Sequence, residues 1–285
     1  MNVFSPLSNF NTREKYFAFS DYLSMKSSYE KDFTLENVRF YISGFEVVEI
    51  KQCSHWVILN NSKSRLENES VTLNTLLIAF WVQSANKISI KHIFNDKETG
   101  CEVISNGFQF NKMDRIKTEF DINDLKKVKE YFHQLESITI TNGRLHTALS
   151  NTFQGCIAPI WKTAYLLYTA AIEAILTYRK TPGITKRLSQ SYACLIETDS
   201  QKRQQEYANF CTLYNIRSDI MHGNVMDTDA DDNLTNLSKL ASALRRLWQF
   251  ILSESELIDI LEKQNKDRKK FFQRLELGFN ASVAN

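Results

Sequence analysis

The sequence predicts an α+β domain followed by an all-helical bundle. Three observations carry that reading. Apolar residues alternate in the two-residue period of strands only in the first third of the chain. From about residue 121 onward they recur at steps of three and four, the period of helices. Only 8 Gly and 3 Pro occur among 285 residues, which suits long, rarely broken helices.

The first third is read as residues 1–115. Asn37 to Ile42, Glu46 to Lys51 and His55 to Asn60 are short segments rich in Val, Ile, Phe and Tyr, the composition of strands. Gly44 fits the turn between the first two. Ile88 to Phe94 and Cys101 to Ile104 predict two further strands, with Asn95 to Gly100 turning between them. Ser70 to Ala85 interrupts the strands as a helix, since Leu73, Leu76, Leu77, Phe80 and Trp81 keep helical spacing.

Residues 116–285 read as helices throughout, with the boundary falling within residues 111–120. Asp121 to Leu135 is amphipathic, with acidic residues ahead of lysines, an order that matches the helix dipole. Asn142 to Arg179 is the longest stretch, with Gly155 or Pro159 as its candidate break. Between Lys162 and Arg179 the lone charged residue is Glu173, so this segment is expected at the centre of the bundle. Thr181, Pro182 and Gly183 end it with turn chemistry. Ile184 to Glu197, Gln201 to His222, Leu234 to Ser253 and Ser255 to Leu277 supply the remaining helices. Trp161, Tyr165 and Tyr168 keep helical spacing and are assigned to the core.

Composition excludes several function classes. The formal net charge is +2, so global charge does not predict a nucleic-acid partner, and any such contact needs a local footprint. Five cysteines, an odd number with no Cys-x-x-Cys, fit a reducing compartment. Cys53 and His55 lack a second ligand pair at zinc spacing and are read as strand residues. The longest apolar run, Leu76 to Val82, has seven residues, against the roughly 20 that a membrane helix needs. The first residues lack a signal-peptide pattern. The expectation is a soluble, cytoplasmic protein with no membrane association, no metal and no cofactor.

The chemistry-bearing segment is QKRQQEYANFCTLYNIRSDIMHGN. Its apolar stripe runs through Tyr207, Phe210, Leu213, Tyr214, Ile220 and Met221. At about 100° per residue, Arg217 falls within roughly 20° of the stripe's centre. An arginine there needs a partner or a task, and Glu173 is the obvious partner. His222 ends the helix just before Gly223, where the dipole favours a protonated imidazole. Cleavage of RNA needs a base to take the 2′-hydroxyl proton and a fixed cation to stabilise the transition state. His222 and Arg217 match those roles. Their five-residue spacing sets them roughly 140° apart on an ideal helix. Either the helix end is distorted, or each site draws on two chains. Taken alone, Arg-x4-His also reads as a helix cap beside an internal ion pair.

The string LYNIRSDIMHGN resembles the signature of HEPN domains, specifically the ApeA-like branch. Tyr214, Arg217, Ser218, Ile220, Met221, His222 and Gly223 carry the resemblance. It extends to AIEAIL around Glu173, to ITKRLSQSYACLI and to LSKLASALRRLWQFILS, covering about residues 140–253. It implies a helical bundle that dimerises so that two Arg/His pairs face each other. It further implies a metal-independent endoribonuclease acting as a toxin or in antiphage defence, with Arg217 and His222 catalytic. Glu173, Ser218 and Asp219 would support them. An antitoxin or a phage-derived trigger becomes a candidate partner, and the N-terminal domain a sensor or substrate-positioning element. The alternatives are a non-catalytic HEPN module for dimerisation or RNA binding, and an interaction scaffold without RNA.

Two charged segments remain. Lys263, Lys266, Arg268, Lys269 and Lys270 form a basic run that reads as a solvated face, with Lys266, Lys269 and Lys270 as candidate phosphate contacts. Asp227, Asp229, Asp231 and Asp232 superficially suggest a calcium loop. Counted from Asp227, position six is Asp232 rather than Gly and position twelve is Ser238 rather than Glu, so an acidic loop before a helix is the better reading.

Overall fold

The computed structural model describes residues 2–27, 53–60, 64–66, 68–86, 88–97, 100–109, 117, 119–178, 183–224, 230–263 and 265–283. The expected strands at Asn37–Ile42 and Glu46–Lys51 lie outside the described residues. The chain divides into two compact units, Met1–Ile140 and Thr141–Asn285.

The first unit contains one antiparallel sheet. Its described strands are β1 (Asn2–Ser8), β2 (Tyr16–Ala18), β3 (Leu23–Lys26), β4 (His55–Asn60), β5 (Ser89–Lys97) and β6 (Gly100–Gln109). They lie in the order β2-β3-β4-β1-β5-β6. β1 is central, paired with β4 through Phe4↔Ile58 and with β5 through Phe4↔Phe94. Sequence reading missed this strand because Ser5, Pro6 and Ser8 interrupt its apolar pattern. Pro6 is tolerated where the β1–β5 register shifts, between Phe4 and Leu7, as prolines inside sheets are.

Helix α1 (Glu69–Gln83) begins at Asn68, whose side chain accepts the Val71 N–H. It buries Leu73, Leu76, Leu77, Phe80 and Val82. Phe80 meets the rings of Phe10, Phe19 and Phe120 at 5.3–5.8 Å, distances typical of favourable aromatic pairs. Helix α2 (Ile122–Thr141) belongs to this cluster. The Gln83 amide donates to Asp124, Lys117 pairs with the same carboxylate, and the Tyr22 hydroxyl donates to Glu136. Sequence periodicity put the boundary at residues 115/116, where strands give way to helices. The compact units part at 140/141, with α2 joined to the first unit through Asp124 and Glu136.

The second unit is helical: α3 (Arg144–Ile157), α4 (Trp161–Leu176), α5 (Ile184–Ile196), α6 (Ser200–Met221), α7 (Ala230–Ser253), α8 (Ser255–Glu262) and α9 (Asn265–Val283). Pro159, rather than Gly155, breaks the long segment. Ala158 before it is extended, at φ −62° and ψ 125°, as the residue before a proline prefers. Gly155 serves packing: a Cβ there would sit 2.5 Å from the Tyr168 ring. Helix α4 packs against α3, α5, α6 and α7 and buries Tyr165, Tyr168, Ile172 and Ile175. It is the central helix that its composition predicts. Trp161, by contrast, is half-exposed. Trp248 of α7, fully buried, donates its indole N–H to Thr152 of α3 at 2.9 Å. The expected single C-terminal helix is two, α8 and α9. No helix among the described residues is long and apolar enough to cross a membrane.

Candidate functional site

Helix α6 starts from Asp199, whose side chain accepts the Lys202 N–H at 2.9 Å. Its middle is buried through Phe210, Leu213 and Tyr214. The Tyr165 hydroxyl of α4 donates to the Leu213 carbonyl, tying the two helices at that level. The buried stripe stops there. Ile220 is half-exposed and Met221 is 57% exposed, which departs from the continuous buried face that the sequence suggests.

Arg217 is correspondingly not buried. Its side chain is 38% exposed, and its Nε lies 3.7 Å from Glu173 Oε1. That distance is an ion pair without a hydrogen bond. The tighter partner of the same oxygen is Tyr214, whose hydroxyl donates at 2.6 Å. Burial, and then the Glu173 carboxylate, push the Tyr214 phenol well above its usual range, so the hydroxyl remains a donor. Tyr214 lies one turn before Arg217 on the same helix face, a spacing that could have exposed it in the sequence.

His222 caps α6 with φ −92° and ψ 3°. Gly223 follows at φ +72°. Its N–H donates to the Ile220 carbonyl at 3.2 Å, and the Asn224 N–H donates to Asp219 at 2.8 Å. This pair of bonds is a Schellman motif. It explains the His-Gly order: the left-handed residue must be Gly-like, and the residue before it becomes the cap. The His222, Ser218 and Asp219 side chains are exposed. The site residues thus fall into two groups. Glu173, Tyr214 and Arg217 are joined across α4 and α6. Ser218, Asp219 and His222 sit on the exposed last turn.

The part of the basic run that lies on α9 splits differently from expectation. Lys266, Lys269 and Lys270 are exposed, but Arg268 is 1% exposed. Its guanidinium donates to the Thr177 carbonyl at 2.6 Å, and Arg144 donates to Ala174 and Thr177, both at 3.0 Å. Two arginines therefore neutralise the C-terminal end of α4. Burial first, and then the like charge of Arg144, pull the Arg268 pKa down to about 10. Glu262 faces the opposite pole, accepting the N–H groups of Arg144 and Leu145 at the start of α3, at 2.9 and 2.8 Å. Arg268 is structural; only its lysine neighbours are available to a partner.

His55 opens β4, and Cys53 lies just before that strand. The His55 ring sits 2.8 Å from Ser54 Oγ and 3.1 Å from the Glu14 carbonyl oxygen, while Cys53 meets Ser8. No cluster of three or more His, Cys, Asp or Glu suited to a metal occurs among the described residues. Asp231 and Asp232 stand exposed in the first turn of α7, whereas Asp227 and Asp229 fall outside the described residues. No protein-family model matches this chain, and no curated protein or solved structure is significantly similar to it.

Proposed function

We propose that the C-terminal unit is a HEPN-type endoribonuclease that works as a homodimer, with Arg217 and His222 as its catalytic pair. The observation that carries this reading is the pairing of a half-exposed, loosely held arginine with an exposed histidine on the last turns of one helix. Among the described residues, the Arg217 side chain makes no hydrogen bond, only the 3.7 Å ion pair, and the His222 ring makes neither. A guanidinium committed purely to structure is expected to be fixed by hydrogen bonds, as Arg268 is.

The chemistry follows from the substrate. His222 removes the 2′-hydroxyl proton, and the oxygen forms a bond to the adjacent phosphorus. The bond to the 5′-oxygen breaks, and that oxygen leaves with a proton returned by an imidazolium. Arg217 stabilises the negative charge gathering on the phosphoryl oxygens. Because the nucleophile is part of the RNA, the reaction does not require a metal-bound water. Glu173 sets the orientation of Arg217, and Ser218 and Asp219 border the bound strand. Lys266, Lys269 and Lys270 are candidate phosphate contacts. Such an activity suits a toxin or an antiphage effector, with the sheet unit sensing a trigger or positioning RNA.

The test is direct. Purified wild-type protein should cut RNA in EDTA and leave 2′,3′-cyclic phosphate ends, while Arg217→Ala and His222→Ala proteins should lose at least about a hundredfold in rate. Equal cutting by all three would sink the reading. One observation favours a non-catalytic RNA-binding or dimerisation module instead: Glu173 already offsets the Arg217 charge. That module would bind RNA without producing new ends.

A further inference from the structure

In the second unit, the Arg246–Glu206 and Arg217–Glu173 pairs are almost equally exposed, yet the first is closed and the second is open. The side chains of Arg246 and Glu206, 41% and 23% exposed, meet in a 2.7 Å hydrogen bond. Those of Arg217 and Glu173, 38% and 27% exposed, stop at 3.7 Å. An arginine beside a carboxylate gains from a charge-assisted bond, often a two-pronged one. Solvent access is the same for both pairs and does not account for the open one.

The difference lies at the acceptor. Glu173 Oε1, the oxygen 3.7 Å from Arg217, already accepts the Tyr214 hydroxyl at 2.6 Å. Tyr192 lies near the Arg246–Glu206 pair, but its hydroxyl makes no hydrogen bond, so that phenol does not compete for Glu206. Tyr214 is buried, and its ring lies 6.4 Å from Phe210, which stacks on Tyr192 at 4.5 Å. Packing in that aromatic column holds the phenol in place. Burial, and then the Glu173 carboxylate, keep it protonated as a donor. A fork-to-fork bond with Arg217 needs both carboxylate oxygens turned to the guanidinium, and Tyr214 keeps one of them in its own hydrogen bond.

We propose that Tyr214 is a positioning residue of the Arg217 site: by engaging Glu173 Oε1 it keeps the carboxylate from closing on Arg217, and the guanidinium stays available to an anionic phosphodiester. The substrate in this proposal rests on the RNA-cleavage reading. The competition between Tyr214 and Arg217 for one oxygen is measurable without RNA.

Magnetic resonance of the full chain, carrying isotope-labelled arginine, reads that competition. The Arg217 Nε–H signal is identified by its loss in Arg217→Lys. Its exchange with water should slow by about tenfold in Tyr214→Phe, as Glu173 closes on the guanidinium. Exchange should return to the wild-type rate in Tyr214→Phe/Glu173→Gln, where the charge that closes is gone. Tyr214→Phe should also lower single-turnover RNA cleavage by about tenfold. The double variant should cut no more slowly than Glu173→Gln alone, whereas a tyrosine acting independently would multiply the two losses to about a hundredfold. Multiplied losses, or Arg217 exchange unchanged by Tyr214→Phe, would overturn the proposal. If wild-type protein leaves RNA uncut, the cleavage reading fails; slowed exchange then still upholds the competition, and unchanged exchange still overturns it.

Discussion

Glu173 serves two partners at unequal range, Tyr214 at 2.6 Å and Arg217 at 3.7 Å. The nearer bond holds the carboxylate; in the proposed site that carboxylate would orient the arginine and leave its fork open to a phosphate. Glu173→Gln keeps an acceptor for Tyr214 but removes the charge that steers Arg217. RNA cleavage by that variant should fall by about tenfold, the effect of about 1.4 kcal/mol in the barrier. Arg217→Lys should not restore wild-type rates, because an ammonium lacks the planar fork. Single-turnover cleavage assays decide both points; a Glu173→Gln protein as active as wild type would remove Glu173 from the site. Arg268 offers the contrasting case. Arg268→Ala leaves the Thr177 carbonyl without its 2.6 Å donor and should cost about 2–4 kcal/mol in urea unfolding. Alanine at exposed Lys269 or Lys270 should stay within about 0.5 kcal/mol.

Among elements, the last turn of α6 has the most demanding local geometry. Gly223 at φ +72° closes the Schellman motif that holds the His222 turn. Gly223→Ala should cost about 1–2 kcal/mol and speed hydrogen exchange at the amides of Ile220 to Asn224. Gly223→Asn, which tolerates the left-handed region, should cost less. This terminus was legible in the sequence because a C-terminal cap is local chemistry. The centrality of α4 was legible for a similar reason: sixteen residues carrying only Lys162 and Glu173 as charges leave no polar face. What escaped sequence reading depended on partners distant in the chain. β1 is a strand because β4 and β5 flank it, in spite of Pro6. Arg268 turns inward because α4 ends in carbonyls that need donors, ninety-one residues away at Thr177. The end of the buried stripe on α6 was illegible too, since periodicity marks an apolar face without saying what covers it. Ile220 is half-exposed and Met221 is 57% exposed where the stripe ends.

At the scale of the whole molecule, that partly exposed apolar end lies on the turns that carry Arg217 and His222. An isologous dimer would bury Met221 and bring two copies of those turns together. Five residues on one helix give Arg217 and His222 different directions, so a crossed site can use the arginine of one copy with the histidine of the other. This arrangement makes a quantitative prediction. Arg217→Ala and His222→Ala proteins, each inactive alone, are mixed at equal concentration and allowed to exchange subunits. About half of the dimers are then mixed, and each mixed dimer holds one site with both native residues and one with neither. Cleavage should recover to about a quarter of the wild-type rate, as two-fold symmetry dictates. Met221→Glu, which places a charge in the proposed interface, should abolish that recovery and shift the protein to monomer in sedimentation. Exchange demonstrated by differently tagged subunits, yet with no recovered cleavage, would refute the crossed site. The pair would then act within one chain, or the dimer would need all four residues together.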